Sequence, residues 1–233
     1  MFSYTKHPGA DGVGVAFTDA ETPSGEPLDL GSRAADPGKG WELVRAALGV
    51  GLFYPRQVHG TNVVEVLDDT SPEEVALVEA DALVTRRRGA GLAVRVADCL
   101  PVLFADPDAG VIAAAHAGRV GLAAGVLPAT LARMRELGAT HVTAWIGPHV
   151  CGACYEVPEA MRDALGALLP GAASVTSWGT PALDLGAAAA LQLEREGCVV
   201  ELHDPCTRTT QSLHSHRRDG LASGRQAGIV WLA

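Results

Sequence analysis

Three side chains that can ligate a metal follow extended or apolar runs at separate points of the chain. His59 ends the stretch Arg56–His59, Cys99 follows a run that ends at Ala97, and His116 follows a run that ends at Ala115. Two imidazoles and one thiolate suit zinc, and three protein ligands leave a fourth tetrahedral position for water or substrate. The separations of 40 and 17 residues match no common metal motif, so the spacing alone equally allows ordinary packed or hydrogen-bonded side chains.

The same residues permit other catalytic roles. Cys99 with His116 as its base is also the arrangement of a cysteine hydrolase. Asp98, directly before Cys99, is a candidate for orienting a ligand or for transferring protons beside the metal, and it is equally a candidate for capping a turn. Cys99 and Asp98 are therefore the predicted catalytic residues.

Cys151 and Cys154 form a second motif, Cys-Gly-Ala-Cys. Alone, such a pair indicates a redox motif or half of a zinc site. No second pair of this kind exists in the chain, which leaves His149 and Cys206 as possible additions. A loop packed near the metal is the favoured interpretation, and we expect these cysteines to be dispensable for the catalytic metal.

Elements of regular structure must bring these side chains together. Three short apolar runs, Leu92–Ala97, Pro101–Ala105 and Val111–Ala115, are separated by turn-forming residues and predict buried strands that deliver Cys99 and His116 to one edge of a sheet. Apolar periodicity predicts helices, and β-rich runs predict further strands. The helices are expected over Trp41–Leu48, Pro158–Leu169 and Leu185–Glu196, with another after Gly121 that is kinked or restarted at Pro128; further strands are expected over Val63–Leu67, Ala82–Thr85, His141–Ile146, Val199–Leu202 and Ile229–Leu232.

The pattern predicts an α/β or α+β fold in which mixed β-sheets are flanked by helices. The 233 residues, of which 48% are hydrophobic, predict one domain over residues 1–233. The segment from Asp19 to Gly40 is rich in Pro, Gly, Ser and acidic residues and predicts a long surface excursion that could cover a site.

Charge and hydropathy restrict the partners. A formal charge of −9 with only 18 Lys and Arg residues disfavours a nucleic-acid-binding surface. No apolar run is long enough to span a bilayer, and the amino terminus has no signal-peptide pattern. We therefore expect a cytoplasmic protein that acts on small molecules. Its oligomeric state does not follow from the sequence.

A series of motifs in chain order resembles the laccase-domain family, also described as multicopper polyphenol oxidases and now as zinc-dependent purine nucleoside phosphorylases. The motifs are Arg56–Gly60, Asp81–Thr85, Val96–Asp106, the segment around His116, Ile146–Pro148, Cys154–Val157 and His216–Asp219. An ordered series is more specific than any single motif. The resemblance covers the chain from about Gly12 to Leu232 and implies a YfiH-like fold.

The resemblance implies that His59, Cys99 and His116 bind the metal and are needed for activity. It implies phosphorolysis of adenosine, inosine, guanosine and methylthioadenosine, together with hydrolytic deamination of adenosine. Copper-dependent oxidation of phenols is the alternative activity of the family, although multicopper electron transfer needs many His ligands and this chain has 8. A role in peptidoglycan editing, with metal bound but no nucleoside turnover, is a further alternative.

Two departures from the family pattern concern phosphate. The arginine and glycine pair that the family carries after Phe17-Thr18 is replaced here by residues around Ala20, and an aromatic residue is missing from the turn that holds Arg119. Other cations must then supply the charge. We expect Arg56, three residues before a predicted ligand, and Arg217, in the turn at the carboxy-terminal motif, to bind phosphate.

Overall fold

The computed structural model describes residues 1–233, which form 13 strands, seven α-helices and one short 3₁₀ helix (Gly220–Ala222). The strands are β1 (Phe2–Lys6), β2 (Val13–Thr18), β3 (Gly51–Phe53), β4 (Val63–Glu65), β5 (Ala82–Thr85), β6 (Ala90–Val96), β7 (Leu100–Asp106), β8 (Val111–Ala117), β9 (Thr143–Ile146), β10 (Ala173–Val175), β11 (Pro181–Leu183), β12 (Val199–Leu202) and β13 (Gln226–Leu232). The helices are α1 (Pro37–Leu48), α2 (Pro72–Leu77), α3 (Arg119–Ala124), α4 (Val126–Glu136), α5 (Glu159–Leu168), α6 (Leu185–Arg195) and α7 (His216–Asp219). None of the helices combines the length and the apolar character needed to cross a membrane.

Two mixed sheets form the centre of the fold. One has five strands in the order β1-β2-β13-β6-β3, and the other has six in the order β12-β9-β7-β8-β5-β4. Most neighbours are antiparallel, whereas β3 with β6, β4 with β5, and β9 with β12 run parallel. A separate hairpin pairs β10 with β11. The predicted fold class, mixed sheets flanked by helices, is confirmed.

The two sheets pack face to face because successive side chains of a strand point to opposite faces. On β7, Leu103 and Ala105 belong to the core between the sheets, whereas Val102 and Phe104 face the layer of α4, α5 and α6. The outer face of the five-stranded sheet is covered by α1, which contributes Trp41. All seven residues of β7 and of β8 are buried, as strands covered on both faces must be.

Several local predictions differ from the structure. The segment 19–40 is not wholly a surface excursion, because Leu28 and Leu30 are buried against the five-stranded sheet. Helix α1 begins at Pro37, capped by the Asp36 carboxylate, and therefore starts before Trp41. The helical stretch after Gly121 breaks at Gly125, which has a φ of 95°, whereas Pro128 lies in the first turn of α4, where a missing N–H costs no hydrogen bond.

Candidate metal centre

His59, Cys99 and His116 converge as the sequence predicts. Their ligand atoms all lie within 4.8 Å of one another, with Cys99 Sγ 3.9 Å from His59 Nε2. The two imidazole rings lie 4.7 Å apart at 77°. Zinc bonds of about 2.0 Å to nitrogen and about 2.3 Å to sulfur place tetrahedral ligands roughly 3.5 Å apart. A small contraction of the three side chains therefore suffices to hold one ion.

Each ligand is delivered by a different kind of backbone. His116 is the sixth residue of β8, and Cys99 directly precedes β7, its antiparallel neighbour. His59 lies in the connection between β3 and β4 with a φ of 62°, a left-handed conformation that is uncommon for a residue with a side chain. Contacts from neighbouring residues must therefore stabilise the left-handed backbone of His59.

The buried carboxylate of Asp81 holds His59 and His116 together. Its Oδ1 accepts hydrogen bonds from the backbone N–H of His59 at 2.9 Å and from His116 Nδ1 at 2.7 Å. Its Oδ2 accepts from the N–H groups of Val58 at 3.1 Å and of Gly60 at 2.6 Å. With Nδ1 as the donor, the Nε2 of His116 is left free for a metal. The sequence shows an Asp directly before an apolar run at this position, but nothing local marks it as a partner of the ligands.

The metal-free centre favours an ion pair between Cys99 and His116. Burial alone would raise the pKa of the Cys99 thiol, but the charge and hydrogen bond of His116, together with His59, lower this pKa to about 6. Burial alone would lower the pKa of His116, but the Cys99 thiolate and the Asp81 carboxylate raise it to about 9. The thiolate that a metal requires is therefore already present near neutral pH, and metal binding would release the His116 proton.

A cavity of about 470 Å³ opens over the three ligands. Its walls come from the end of β6, the residues before β7 and β13, and the segment 29–33. Only three of its 14 lining residues are hydrophobic, and three are arginines. The volume lies in the range of small-molecule sites, and the lining is unusually polar for one. The arginines are Arg33, Arg95 and Arg225.

Neither the Arg95 nor the Arg225 guanidinium forms an ion pair with a carboxylate. The Arg95 guanidinium donates to the carbonyl of Pro55 at 2.9 Å and lies over the Tyr54 ring, 5.3 Å from its centroid. The Arg225 guanidinium donates to the carbonyls of Ser223 and Gly224 at 3.0 and 2.7 Å. Burial lowers the pKa of Arg95, and the positive charge of Arg225 lowers it further. Two neighbouring cations paired with carbonyls rather than carboxylates favour an anion in the cavity.

Arg56 and Arg217, the predicted phosphate ligands, lie outside this cavity. Arg56 is 63% exposed and pairs with Glu79, beside an adjoining cavity of about 350 Å³. The Arg217 guanidinium stacks over the Tyr155 ring at 4.9 Å and donates to the Glu156 carbonyl at 3.2 Å. A role for either residue in phosphate binding stays a prediction.

Asp98 joins the metal centre to the carboxy-terminal loops. Its Oδ1 accepts from the hydroxyls of Thr207 at 2.6 Å and Ser215 at 2.7 Å, and its Oδ2 accepts from the N–H of Arg217 at 2.5 Å. Asp98 has a φ of 88°, so these bonds hold a strained backbone directly before Cys99. This geometry supports a positioning role, and the predicted acid/base role of Asp98 remains untested.

Comparison with known proteins places the chain in a family. The family model of the multi-copper polyphenol oxidoreductase laccase matches residues 30–233. The chain is 48% identical to a Streptomyces coelicolor protein named purine nucleoside phosphorylase, over 89% of this chain and 88% of that protein. It is 41% identical to a Mycobacterium tuberculosis protein of the same name, over 94% of this chain and 91% of that protein.

Solved structures share the fold of this chain. The Neisseria meningitidis protein NMB0706 superposes with a TM-score of 0.81 at 32% identity, covering 98% of both chains. The Bacillus licheniformis hypothetical protein YfiH superposes with a TM-score of 0.84 at 26% identity, covering 95% of this chain and 93% of that one. The matched residues 30–233 include all three members of the His59, Cys99 and His116 centre. The chain belongs to the multi-copper polyphenol oxidoreductase laccase family.

Proposed function

We propose that this protein is a zinc-dependent purine nucleoside phosphorylase that acts on adenosine, inosine, guanosine and methylthioadenosine. The observation that carries the proposal is the placement of two guanidinium groups without carboxylate partners, Arg95 and Arg225, in the cavity that also holds His59, Cys99 and His116. Relatives of 41–48% identity bear the name purine nucleoside phosphorylase. Phosphorolysis requires an anion site for phosphate, and a metal in the same cavity could assist by Lewis-acid polarisation.

In phosphorolysis a phosphate oxygen forms a bond to the anomeric carbon of the ribose while the bond from that carbon to the purine nitrogen breaks. The purine leaves with the bonding electron pair and takes up a proton. Arg95 and Arg225 bind and orient the phosphate and offset its charge. His59, Cys99 and His116 would hold the zinc ion, which when bound would supply Lewis-acid polarisation in the same cavity. Asp81 keeps His116 and His59 in the orientation that the ion needs.

The donor set of two histidines and one cysteine also suits copper, which is the metal of the alternative oxidation of phenols. Zinc fits the proposed reaction better, because phosphorolysis changes no oxidation state and zinc has no redox chemistry. Hydrolytic deamination of adenosine is proposed as a second reaction of the same cavity, with water in place of phosphate. Deamination needs no anion site, so the arginines separate the two reactions.

The test compares arginine variants of the zinc-loaded protein. Removing a charge-assisted hydrogen bond costs about 1.5–3 kcal/mol, or roughly 10-fold to 150-fold in affinity. We expect Arg95→Ala and Arg225→Ala to raise the KM for phosphate by such factors, measured as release of free base from inosine. Arg56→Ala and Arg217→Ala test the residues that the sequence favours, and Arg135→Ala, whose partner Glu196 lies on the surface, is the control.

The outcomes are separable. An effect confined to Arg56→Ala and Arg217→Ala would move the anion site to the residues predicted from the sequence. Base release that is independent of phosphate in the parent would contradict the phosphorylase activity itself. Deamination of adenosine, followed as inosine formation, should change little in Arg95→Ala. Oxidation of phenols by copper-loaded protein, without nucleoside turnover by the zinc form, would favour the alternative function.

A further inference from the structure

Three cysteines from two loops meet on another part of the molecule. The sulfurs of Cys151, Cys154 and Cys206 all lie within 4.8 Å of one another, and no disulfide joins them. Cys206 is distant in sequence but pairs as an isolated bridge with His149, which brings the second loop alongside the first. The ring of His149 is not part of the group. Its Nδ1 bonds to the carbonyl of Gly147 at 2.9 Å, and its Nε2 points at Gly186, where a Cβ would lie only 2.3 Å away. The fold thus adds Cys206 as a third sulfur to the Cys151–Cys154 motif.

We propose that Cys151, Cys154 and Cys206 form a second metal site, separate from the centre at His59, Cys99 and His116, that binds a thiophilic d¹⁰ cation such as Zn²⁺. Thiolate is the ligand that such cations prefer, and three sulfurs leave a fourth position for water. Binding replaces the thiol protons by three metal–sulfur bonds and releases the protons to solvent, with no change of oxidation state.

Without a cation the surroundings favour a thiolate at Cys206 only: burial and the neighbouring sulfurs raise the pKa of the Cys151 and Cys154 thiols, whereas hydrogen bonds lower that of Cys206 despite its burial. A bound cation would offset the repulsion between the three thiolates. The N–H of Cys151 points at Cys206 Sγ at 3.5 Å, a contact that stabilises negative charge on sulfur. Zn²⁺ with three thiolates carries a net charge of −1, and Arg208 lies beside the cluster with its guanidinium donating to the Cys154 carbonyl at 3.3 Å. Arg208 is held there by stacking over Trp178 at 4.7 Å. Cys154 is buried, whereas Cys151 and Cys206 are half-buried, so an ion could enter from solvent.

The second site would brace the loops that hold Asp98. Thr207, next to Cys206, donates to the Asp98 carboxylate at 2.6 Å, and the N–H of Val150, next to Cys151, donates to the Asp98 carbonyl at 3.0 Å. A cation that links Cys151, Cys154 and Cys206 therefore ties together two loops that both contact the residue before Cys99. This role is structural, because none of the three cysteines lines the cavity above the first site.

The experiment measures the metal content of the 233-residue chain. The protein is purified under reducing conditions, loaded with Zn²⁺ and then freed of excess metal. We expect two zinc ions per chain in the parent and one in Cys154→Ser/Cys206→Ser. His116→Ala should also hold one ion, the one bound at the second site. Cys198→Ser, which removes a free cysteine outside both groups, is the matched control and should hold two.

A second measurement does not require the double variant to fold. In Cys99→Ala, Zn²⁺ should slow alkylation of Cys151, Cys154 and Cys206 by iodoacetamide at least 10-fold, followed by peptide mass spectrometry, while Cys198 reacts at an unchanged rate. A parent with one zinc per chain and cluster thiols alkylated equally fast with and without Zn²⁺ would overturn the proposal. A Cys151–Cys206 or Cys154–Cys206 disulfide in the protein purified under reducing conditions would overturn it as well.

Discussion

Replacement of Asp81 by Asn tests how the metal centre is held. The carboxylate is fully buried and accepts four hydrogen bonds, two on each oxygen. An Asn side chain has the same shape but offers one acceptor oxygen, and its NH₂ group must face a pair of N–H donors. Either the pair of His59 N–H and His116 Nδ1 or the pair of Val58 and Gly60 N–H groups loses its acceptor.

Two effects of Asp81→Asn should be measurable. Loss of the hydrogen bond behind a ligating histidine weakens metal affinity by about 10-fold to 100-fold, or about 1.4–2.7 kcal/mol. Buried donors left without partners should lower the free energy of unfolding of the metal-free protein by about 1–3 kcal/mol. Zinc affinity is measured by competition with a chromophoric chelator, and stability by urea denaturation of the metal-free form.

Asp106 provides the matched control. It is also fully buried, and its carboxylate accepts from the backbone N–H groups of Ala109, Thr140 and His141 at 3.1, 2.6 and 2.8 Å, without touching the metal centre. Asp106→Asn should lower stability by a similar amount and leave zinc affinity unchanged. The reasoning fails if Asp81→Asn binds zinc as tightly as the parent, or if Asp106→Asn loses zinc affinity to the same degree.

Three further outcomes follow from the geometry of the centre. His116→Ala and Cys99→Ala should each lose zinc from the first site in elemental analysis, whereas His141→Ala, at an exposed position, should keep it. Gly118→Ala should weaken zinc binding by about 10-fold or more in chelator competition. The reason is that a Cβ there would lie 2.8 Å from His59 Cδ2 and 3.0 Å from Cys99 Sγ. Gly38→Ala, where only Asp36 lies nearby at 3.6 Å, is the control. In metal-free protein, the rate of Cys99 alkylation should rise with pH and reach half its maximum near pH 6, because the thiolate is the reacting form and the Cys99 pKa is lowered to about 6. This midpoint should move to higher pH in His116→Ala, which lacks the imidazolium. An unchanged midpoint would refute the ion pair.

The sequence by itself determined the types of the three candidate metal ligands and the strands beside Cys99 and His116. The apolar runs before Cys99 and His116 became β6 to β8 with their ends within two residues of the predicted bounds, because strands buried on both faces need continuous apolar residues. The ordered motifs also identified the family, which the comparisons confirmed. Local composition was less informative for segment 19–40, where Leu28 and Leu30 are buried by contacts with distant strands.

Only the tertiary structure decided which charged groups meet. Arg56 is close to His59 in sequence, yet its side chain lies beside Glu79 at the surface. Arg95 and Arg225 are 130 positions apart and share a cavity because antiparallel β6 and β13 pair Ala227 with Arg95. The same holds for Cys206 beside Cys151 and for Asp81 behind two ligands. Composition and periodicity report which face of an element is buried, whereas the register between strands far apart in the chain sets which polar side chains become neighbours.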